Sequence, residues 1–134
     1  MKTELLRKVV GLAGVVGHVF VATADERGTP HVATAGKLSS PGTDRLAVEA
    51  WFCPGTMENL RRNKNASVVV WDPMADVGYQ IIGEVERIQD VAILDGCAPE
   101  VEKKTPTPQV DRRLVVRVQK VIRFSHAPHS DLEE

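Results

Sequence analysis

The stretch FCPGTMENLRRNKNASVVVWD, residues 52–72, contains three segments of different composition. It opens with a Pro-Gly turn and continues into the polar segment MENLRRNK (57–64), which predicts a short helix. It ends in SVVVWD (67–72), whose β-branched residues are typical of a strand. Because an apparent strand also precedes the turn, this stretch places a short helix between two strands.

Strand patterns continue on both sides of this stretch. Those before it are GHVFVATAD (17–25), PHVATAGKL (30–38) and RLAVEAWF (45–52). Those after it are GYQIIGEVERIQD (78–90) and RRLVVRVQKVIRF (112–124). Gly28 suits a hairpin turn that needs a positive φ, and Gly83 predicts a bulge.

Six predicted strands with mostly short turns indicate a mainly β fold. Helical crossovers between successive strands are missing, so the pattern predicts a closed antiparallel barrel rather than an α/β fold. Helices are expected at 3–13, at 57–64 and, as a helical connection before the last strand, around 90–103. We expect one domain over residues 1–125 and a polar C-terminal tail over 126–134.

Composition excludes several classes of function. The chain has 134 residues, a formal net charge of −1 and 4% aromatic residues, so neither a basic footprint nor a base-stacking platform for nucleic acid is indicated. Cys53 and Cys97 lie far apart, which predicts neither a zinc framework nor a disulfide scaffold. A reducing cytoplasm is the expected compartment. No run is long and apolar enough to span a bilayer, so no membrane partner is expected.

The turn Pro54-Gly55-Thr56 is the strongest local hint of function. Thr56 is placed to cap the helix that follows, and N–H groups at a helix N-terminus can converge on an anion such as phosphate. A plain capped turn between strands explains the same pattern. On local chemistry alone the plain cap is favoured.

Other polar residues point to no catalytic or metal site. His126, His129 and Asp131 are metal-type ligands, but they fit a polar tail better. His18 and His31 lie a hairpin's width apart and are expected to be packed cross-strand neighbours. No nucleophile with a base, paired catalytic carboxylates or Walker loop is present. If the protein catalyses a reaction, a cofactor is therefore expected to carry the chemistry.

Four segments, taken in order, resemble one known family. They are VATADERGTPHVATAGKL, the strand that follows it, GTMENLRRNKNASVVVWD and GYQIIGEVERI. Together they are similar to the pyridoxamine 5′-phosphate oxidase-like FMN-binding split-barrel family over residues 5–124. The resemblance implies a six-stranded split barrel that forms a homodimer, with two FMN molecules at the subunit interface.

The resemblance also implies which residues contact FMN. The isoalloxazine ring would lie along Ala33, Thr34, Ala35 and Gly36, and the ring and the ribityl chain would be touched by Glu49, Ala50 and Trp51. The phosphate would be held by Gly55 and Thr56, with Asn59 inside the adjoining helix. Gln80 would reach the flavin from the dimer partner. Small side chains at 33–36 suit the close approach of a flat ring to a strand.

The sequence departs from the family at two places. Many members carry Arg or Lys where this chain has Gly55 and Thr56, so the phosphate would be met by backbone N–H groups and the Thr56 hydroxyl, with Lys37, Arg61 and Arg62 as candidate cations. The basic C-terminal segment that grips pyridoxamine phosphate is not visible in RFSHAPHSDLEE (123–134). A true pyridoxamine phosphate oxidase is therefore not expected.

The expected function is that of an FMN-binding protein, either a flavin-dependent oxidoreductase or a small electron carrier with an unidentified small-molecule or protein redox partner. Two alternatives stay open. The same barrel can hold the deazaflavin F420 or haem, or it can be a cofactor-free dimeric module with a binding or regulatory role.

Overall fold

The computed structural model describes residues 2–52, 54–94 and 109–134. The fold is mainly β, as the sequence predicts. In chain order the elements are α1 (Lys2–Val16), β1 (Val19–Ala24), β2 (Pro30–Ala35), β3 (Lys37–Ser39), β4 (Arg45–Ala50), α2 (Pro54–Arg62), β5 (Asn65–Asp72), β6 (Val77–Leu94), β7 (Gln109–Arg123), β8 (Ser125–His126) and β9 (His129–Ser130).

Seven strands form one curled antiparallel sheet in the order β2-β1-β5-β6-β7-β4-β3. The two edge strands, β2 and β3, are joined by Gly36 alone. The sheet must therefore curl until its two edges meet at Gly36, which produces the barrel. The prediction of one strand over 30–38 was wrong, since β2 pairs with β1 and β3 pairs with β4. This break at Gly36 makes seven strands instead of the six expected.

The barrel interior is filled by alternate residues of the strands, because successive side chains point to opposite faces of a sheet. Helix α1 closes against this core through Leu6, Val9 and Ala13, which lie at helical spacing. The largest fully buried side chains are Leu6, Leu46, Leu60, Ile81 and Leu114. The core thus joins both helices to the sheet, as the apolar periodicity predicts.

The longest strand, β6, differs from its prediction at its far end. It continues to Leu94, and Asp90 pairs with Arg112 of β7. The helical connection expected around 90–103 is therefore wrong for 90–94, because the ladder with β7 outweighs the weak helical pattern there. Residues 95–103 lie outside the described residues. The bulge expected at Gly83 is confirmed by a register shift between Ile82 and Gly83.

Residues 125–134 fold back onto the barrel. Asp76, at the turn between β5 and β6, accepts hydrogen bonds from the backbone N–H groups of His126 (2.8 Å) and Ala127 (2.7 Å) and from Trp71 Nε1 (3.0 Å). The backbone N–H of Arg123 also donates to the Leu132 carbonyl at 2.7 Å. The Asp76 carboxylate is thus the anchor of this segment.

Replacing Asp76 with asparagine is expected to loosen this segment at neutral pH. Hydrogen bonds from Ala127, His126 and Trp71 lower the pKa of Asp76 below 3.8. A lowered folded-state pKa stabilises the folded form above the unfolded value, and this stabilisation is lost as the pH falls through the folded value. Asparagine tolerates the positive φ of 53° at this position. We expect amide hydrogen exchange at His126 and Ala127 to become severalfold faster.

The matched control for this experiment is Asp131→Asn, which neutralises an exposed carboxylate in the same segment. Its exchange rates should equal those of the wild type. Unchanged exchange in Asp76→Asn would contradict the anchoring role.

Candidate functional site

Two chain segments run antiparallel along one side of the barrel. At one end, Lys37 of β3 pairs with Glu49 of β4. At the other end, His31 of β2 lies against Gly55 of α2, where a Cβ would come within 3.2 Å of His31 Nε2. Strands β2 and β4 also contact each other between these ends. The predicted residues of 33–36, 49–51 and 55–56 are therefore brought into one region.

The start of α2 carries a polar group of residues that we call the helix-start cluster: Thr23, His31, Gly55, Thr56 and Asn59. Thr56 is fully buried, and its Oγ1 lies 3.4 Å from His31 Nδ1. Asn59 Nδ2 donates to Thr23 Oγ1 at 3.1 Å, and Thr23 pairs with His31 across β1 and β2. The cluster thus joins the first turns of α2 to the adjacent ends of two strands.

The helix itself begins earlier than predicted. It starts at Pro54, a residue favoured at the first helical position because its missing N–H is not needed there. Thr56 is therefore the third helical residue rather than the cap. Its hydroxyl faces His31 within the first turn of α2.

Thr23 and His31 are the two residues of this cluster that sequence reasoning missed. The expectation that His18 and His31 are cross-strand neighbours is wrong, because His31 pairs with Thr23. His18 instead meets Phe20 edge-on, with ring centroids 5.5 Å apart. The alternation of His31 with Ala33 and Ala35 along β2 was the available signal, since it puts the imidazole on the same face as two predicted ligand residues.

The candidate cations suggested by the sequence lie elsewhere. Arg61 is paired with Glu58 (3.0 Å), and Arg62 is paired with Glu26 (3.5 Å) and Glu58 (3.7 Å). Both arginines occupy the last turn of α2, roughly 9 Å along the axis from Gly55 at ~1.5 Å per residue. Lys37 stands at the opposite end, beside Glu49. None of these three side chains is placed at the start of the helix.

The other end of the region is rich in charge. Glu49 lies 3.7 Å from Arg113 of β7, and a cavity of about 180 Å³ is lined by Lys37, Leu38, Ser39, Ala47, Glu49 and Arg113. Asp111 adds a second carboxyl group. Burial, followed by the charge of Glu49 and a hydrogen bond with Glu49, raises the pKa of Asp111. Its Oδ1 atom is buried and has no hydrogen-bond partner among the described residues. Asp111 and Arg113 were not predicted, because β7 is far from β4 in sequence.

Gln80 stands apart from the other predicted residues within one chain. It lies in a cross-strand row that runs Thr34, Phe20, Val69, Gln80. Three strand spacings of ~4.8 Å put it roughly 14 Å from Thr34. Its Nε2 donates to Ser67 Oγ at 2.8 Å.

The same row belongs to an apolar area on the outside of the barrel. Core residues adjoin each residue of this row along its own strand, and successive side chains of a strand point to opposite faces. The side chains of the row therefore face outward. Phe20 is 42% exposed and Val32 is 61% exposed. We call this area the outer patch, and it consists of Phe20, Val32, Val69, Ile82 and Ile122.

The described residues also bear on two other features, a metal site and a membrane-spanning helix. Among the described residues, no group of three His, Cys, Asp or Glu side chains could hold a metal ion. His126 and His129 instead face each other as a cross-strand pair of β8 and β9. Over the same part of the chain, every helix is too short or too polar to cross a membrane.

A comparison with protein families identifies one family. The family model described as pyridoxamine 5′-phosphate oxidase matches residues 16–125. No curated protein matches the sequence significantly.

Solved structures with the same fold were also found. HupZ from Group A Streptococcus shares 14% identity with a TM-score of 0.65, covering 93% of this chain and 96% of HupZ. An FMN-binding protein from Syntrophomonas wolfei subsp. wolfei shares 19% identity with a TM-score of 0.61, covering 92% and 88% of the two chains. An F420 reductase also matches, with 18% identity and a TM-score of 0.54, covering 78% of this chain and 87% of the reductase. The haem storage protein HutZ from Vibrio cholerae matches with 10% identity and a TM-score of 0.55, covering 92% of this chain and 97% of HutZ. At these identities the matches show a common fold.

Proposed function

The chain belongs to the pyridoxamine 5′-phosphate oxidase family, and from that premise we propose that it binds FMN in the region between β2, β4 and α2. In this proposal the protein is a flavin-dependent oxidoreductase or a small electron carrier. The observation that carries it is the pair of antiparallel segments fixed at one end by Lys37 and Glu49 and at the other by His31 and Gly55.

The region suits an elongated ligand with one anionic end. From His31 to Gly36 the strand extends roughly 16 Å at ~3.3 Å per residue. The backbone N–H groups in the first turn of α2 are directed toward the start of the helix, where such groups favour an anion such as phosphate. Residues 33–36 are small, so a flat ring can approach the backbone of this segment; the Ala35 side chain itself is buried in the core, and an ideal Cβ at Gly36 would meet nothing within 4 Å. These residues fit the ring and phosphate of FMN.

FMN, when bound, would supply hydride or electron transfer at its ring. The residues of the chain would then bind and orient FMN and would offset its negative charge. Thr56 and the start of α2 would hold the phosphate, while backbone groups of 33–36 and of Glu49 to Trp51 would hold the ring. Near the ring end, burial and the nearby charge of Glu49 raise the pKa of Asp111, so the Asp111 carboxyl group retains a proton more readily than a free aspartate does.

A homodimer is part of the same proposal. The outer patch exposes the large apolar side chains of Phe20 and Val32 on the outer face of the sheet, which is typical of a surface that packs against a partner. In a two-fold dimer the same patch meets itself. A two-fold axis that passes near Val69 and runs along the strands would bring Gln80 of each chain toward the Thr34 and Phe20 side of the other, as the assignment of Gln80 to the partner's flavin requires.

A second candidate keeps the fold and changes the ligand to F420 or haem. It is favoured by the similarity to an F420 reductase and to a haem storage protein. An absorption spectrum of the purified protein, followed by titration with FMN, F420 and haem, separates the candidates. Flavin bands and quenching of FMN fluorescence are expected. A protein that is colourless and leaves FMN fluorescence unchanged would refute FMN binding and favour a cofactor-free binding or regulatory module.

Replacing Thr56 with valine is expected to weaken FMN binding about tenfold and to change riboflavin binding less than about twofold. Valine keeps the buried shape but removes the hydroxyl, and a hydrogen bond to a charged group contributes roughly 1.5–3 kcal/mol. Only FMN carries the phosphate, so the difference between the ligands isolates this contact. Dissociation constants come from fluorescence quenching.

Thr43→Val is the control, since it makes the same substitution at an exposed residue of the turn before β4, outside the helix-start cluster. It should affect the two flavins equally. Equal weakening of FMN and riboflavin in Thr56→Val would place the phosphate elsewhere.

A further inference from the structure

The imidazole ring of His31 packs closely against Gly55 at the start of α2. A Cβ built on Gly55 would lie 3.2 Å from His31 Nε2 and 3.6 Å from Cδ2 and Cε1. The imidazole therefore occupies the space that a side chain at position 55 would enter. A side chain at position 55 would require the ring to move by a few tenths of an ångström, so glycine lets the ring lie closest to the first turn of α2.

The remaining contacts set the orientation of the ring. His31 Nδ1 lies 3.4 Å from Thr56 Oγ1, and Thr56 is held fully buried within α2. This turns Nδ1 toward the hydroxyl and Nε2 toward the backbone of Gly55. The bond from Asn59 to Thr23 fixes the strand residue that pairs with His31, so the ring is held from two elements.

We propose that His31 is the side chain that recognises the ligand's terminal phosphate, and that it thereby determines preference for FMN over riboflavin. The inference rests on the proposed function, because it concerns the phosphate end of that site. Lys37, Arg61 and Arg62 stand at other places, as described above, whereas the imidazole lies against the helix start itself. An imidazole N–H donates to a phosphate oxygen whether the ring is neutral or charged, and a protonated ring adds charge.

The test compares wild type, His31→Gln and His31→Lys for binding of FMN and riboflavin by fluorescence quenching, with all proteins measured at one fixed pH. We expect His31→Gln to weaken FMN about tenfold and riboflavin less than about twofold. Lysine restores a cation, so His31→Lys should recover much of the FMN preference. His129→Gln, an exposed histidine on β9, is the control and should match wild type.

The outcomes separate the inference from the proposed function. A wild-type protein that binds neither flavin refutes the FMN proposal, and the inference falls with it. If the wild type binds FMN but His31→Gln keeps full FMN preference, the phosphate is recognised without His31 and the inference alone is wrong. Equal weakening of both flavins in His31→Gln and in His31→Lys would assign the residue to packing and would also overturn it.

Discussion

Replacing Gly83 with alanine is expected to lower the free energy of unfolding by about 3 kcal/mol. The new Cβ would overlap the backbone carbonyl oxygen of Arg117 and lie 2.8 Å from Val116 Cγ1. Arg117 is part of the ladder between β6 and β7, so its carbonyl cannot retreat without disturbing the strand pairing. The cost is higher than for a side-chain contact, because a flexible side chain could move aside and a paired backbone cannot.

Urea denaturation of the two proteins measures this difference. Gly11→Ala is the matched control, because Gly11 lies within α1 and a Cβ there meets nothing within 4 Å. Alanine is the better helix former, so the control should gain about 0.5–1 kcal/mol. A Gly83→Ala protein as stable as the wild type would show that the bulge relaxes, contrary to the geometry.

Replacing Phe20 with glutamate is expected to weaken the proposed homodimer about a hundredfold or more. Phe20 lies inside the outer patch, between Thr34 and Val69 in the cross-strand row. A charge buried without a partner costs several kcal/mol, and a two-fold interface contains the substitution twice. Because the proposed flavin site is completed by the partner chain, FMN affinity should fall with the dimer.

Light scattering coupled to size-exclusion chromatography reports the mass, and circular dichroism confirms that the variant is folded. Val15→Glu provides the control, since Val15 is 77% exposed on α1 and lies outside the outer patch. It should remain dimeric and bind FMN like wild type. A wild-type protein that elutes as a monomer would refute the dimer proposal itself.

Much of the fold was predictable because it depends on local patterns. The strand at 67–72 and the strand at 112–124 were recognised from β-branched residues and alternation, and both are confirmed by β5 and β7. Gly28 was predicted to take a positive φ, and it has φ of 88°. Glycine positions of this kind can be predicted from the sequence because a turn or bulge constrains the backbone at that residue.

Features that depend on strand partners were not predictable in the same way. Residues 30–38 carry one continuous strand pattern, and only their different partners divide them at Gly36. The site shows the same limit. The resemblance indicated the segments that would contact FMN, but His31, Asp111 and Arg113 come from strands whose neighbours are set by the barrel.

The sequence by itself determined that this protein is a mainly β barrel with a short helix after its β4 strand, since hydrophobic alternation and turn residues act over a few neighbouring positions. Only the tertiary structure decided that the barrel closes at Gly36 and that the start of α2 meets a histidine rather than an arginine or lysine. Those two results depend on contacts between residues far apart in the chain. Such contacts are selected by the packing of the whole sheet, which no local pattern encodes.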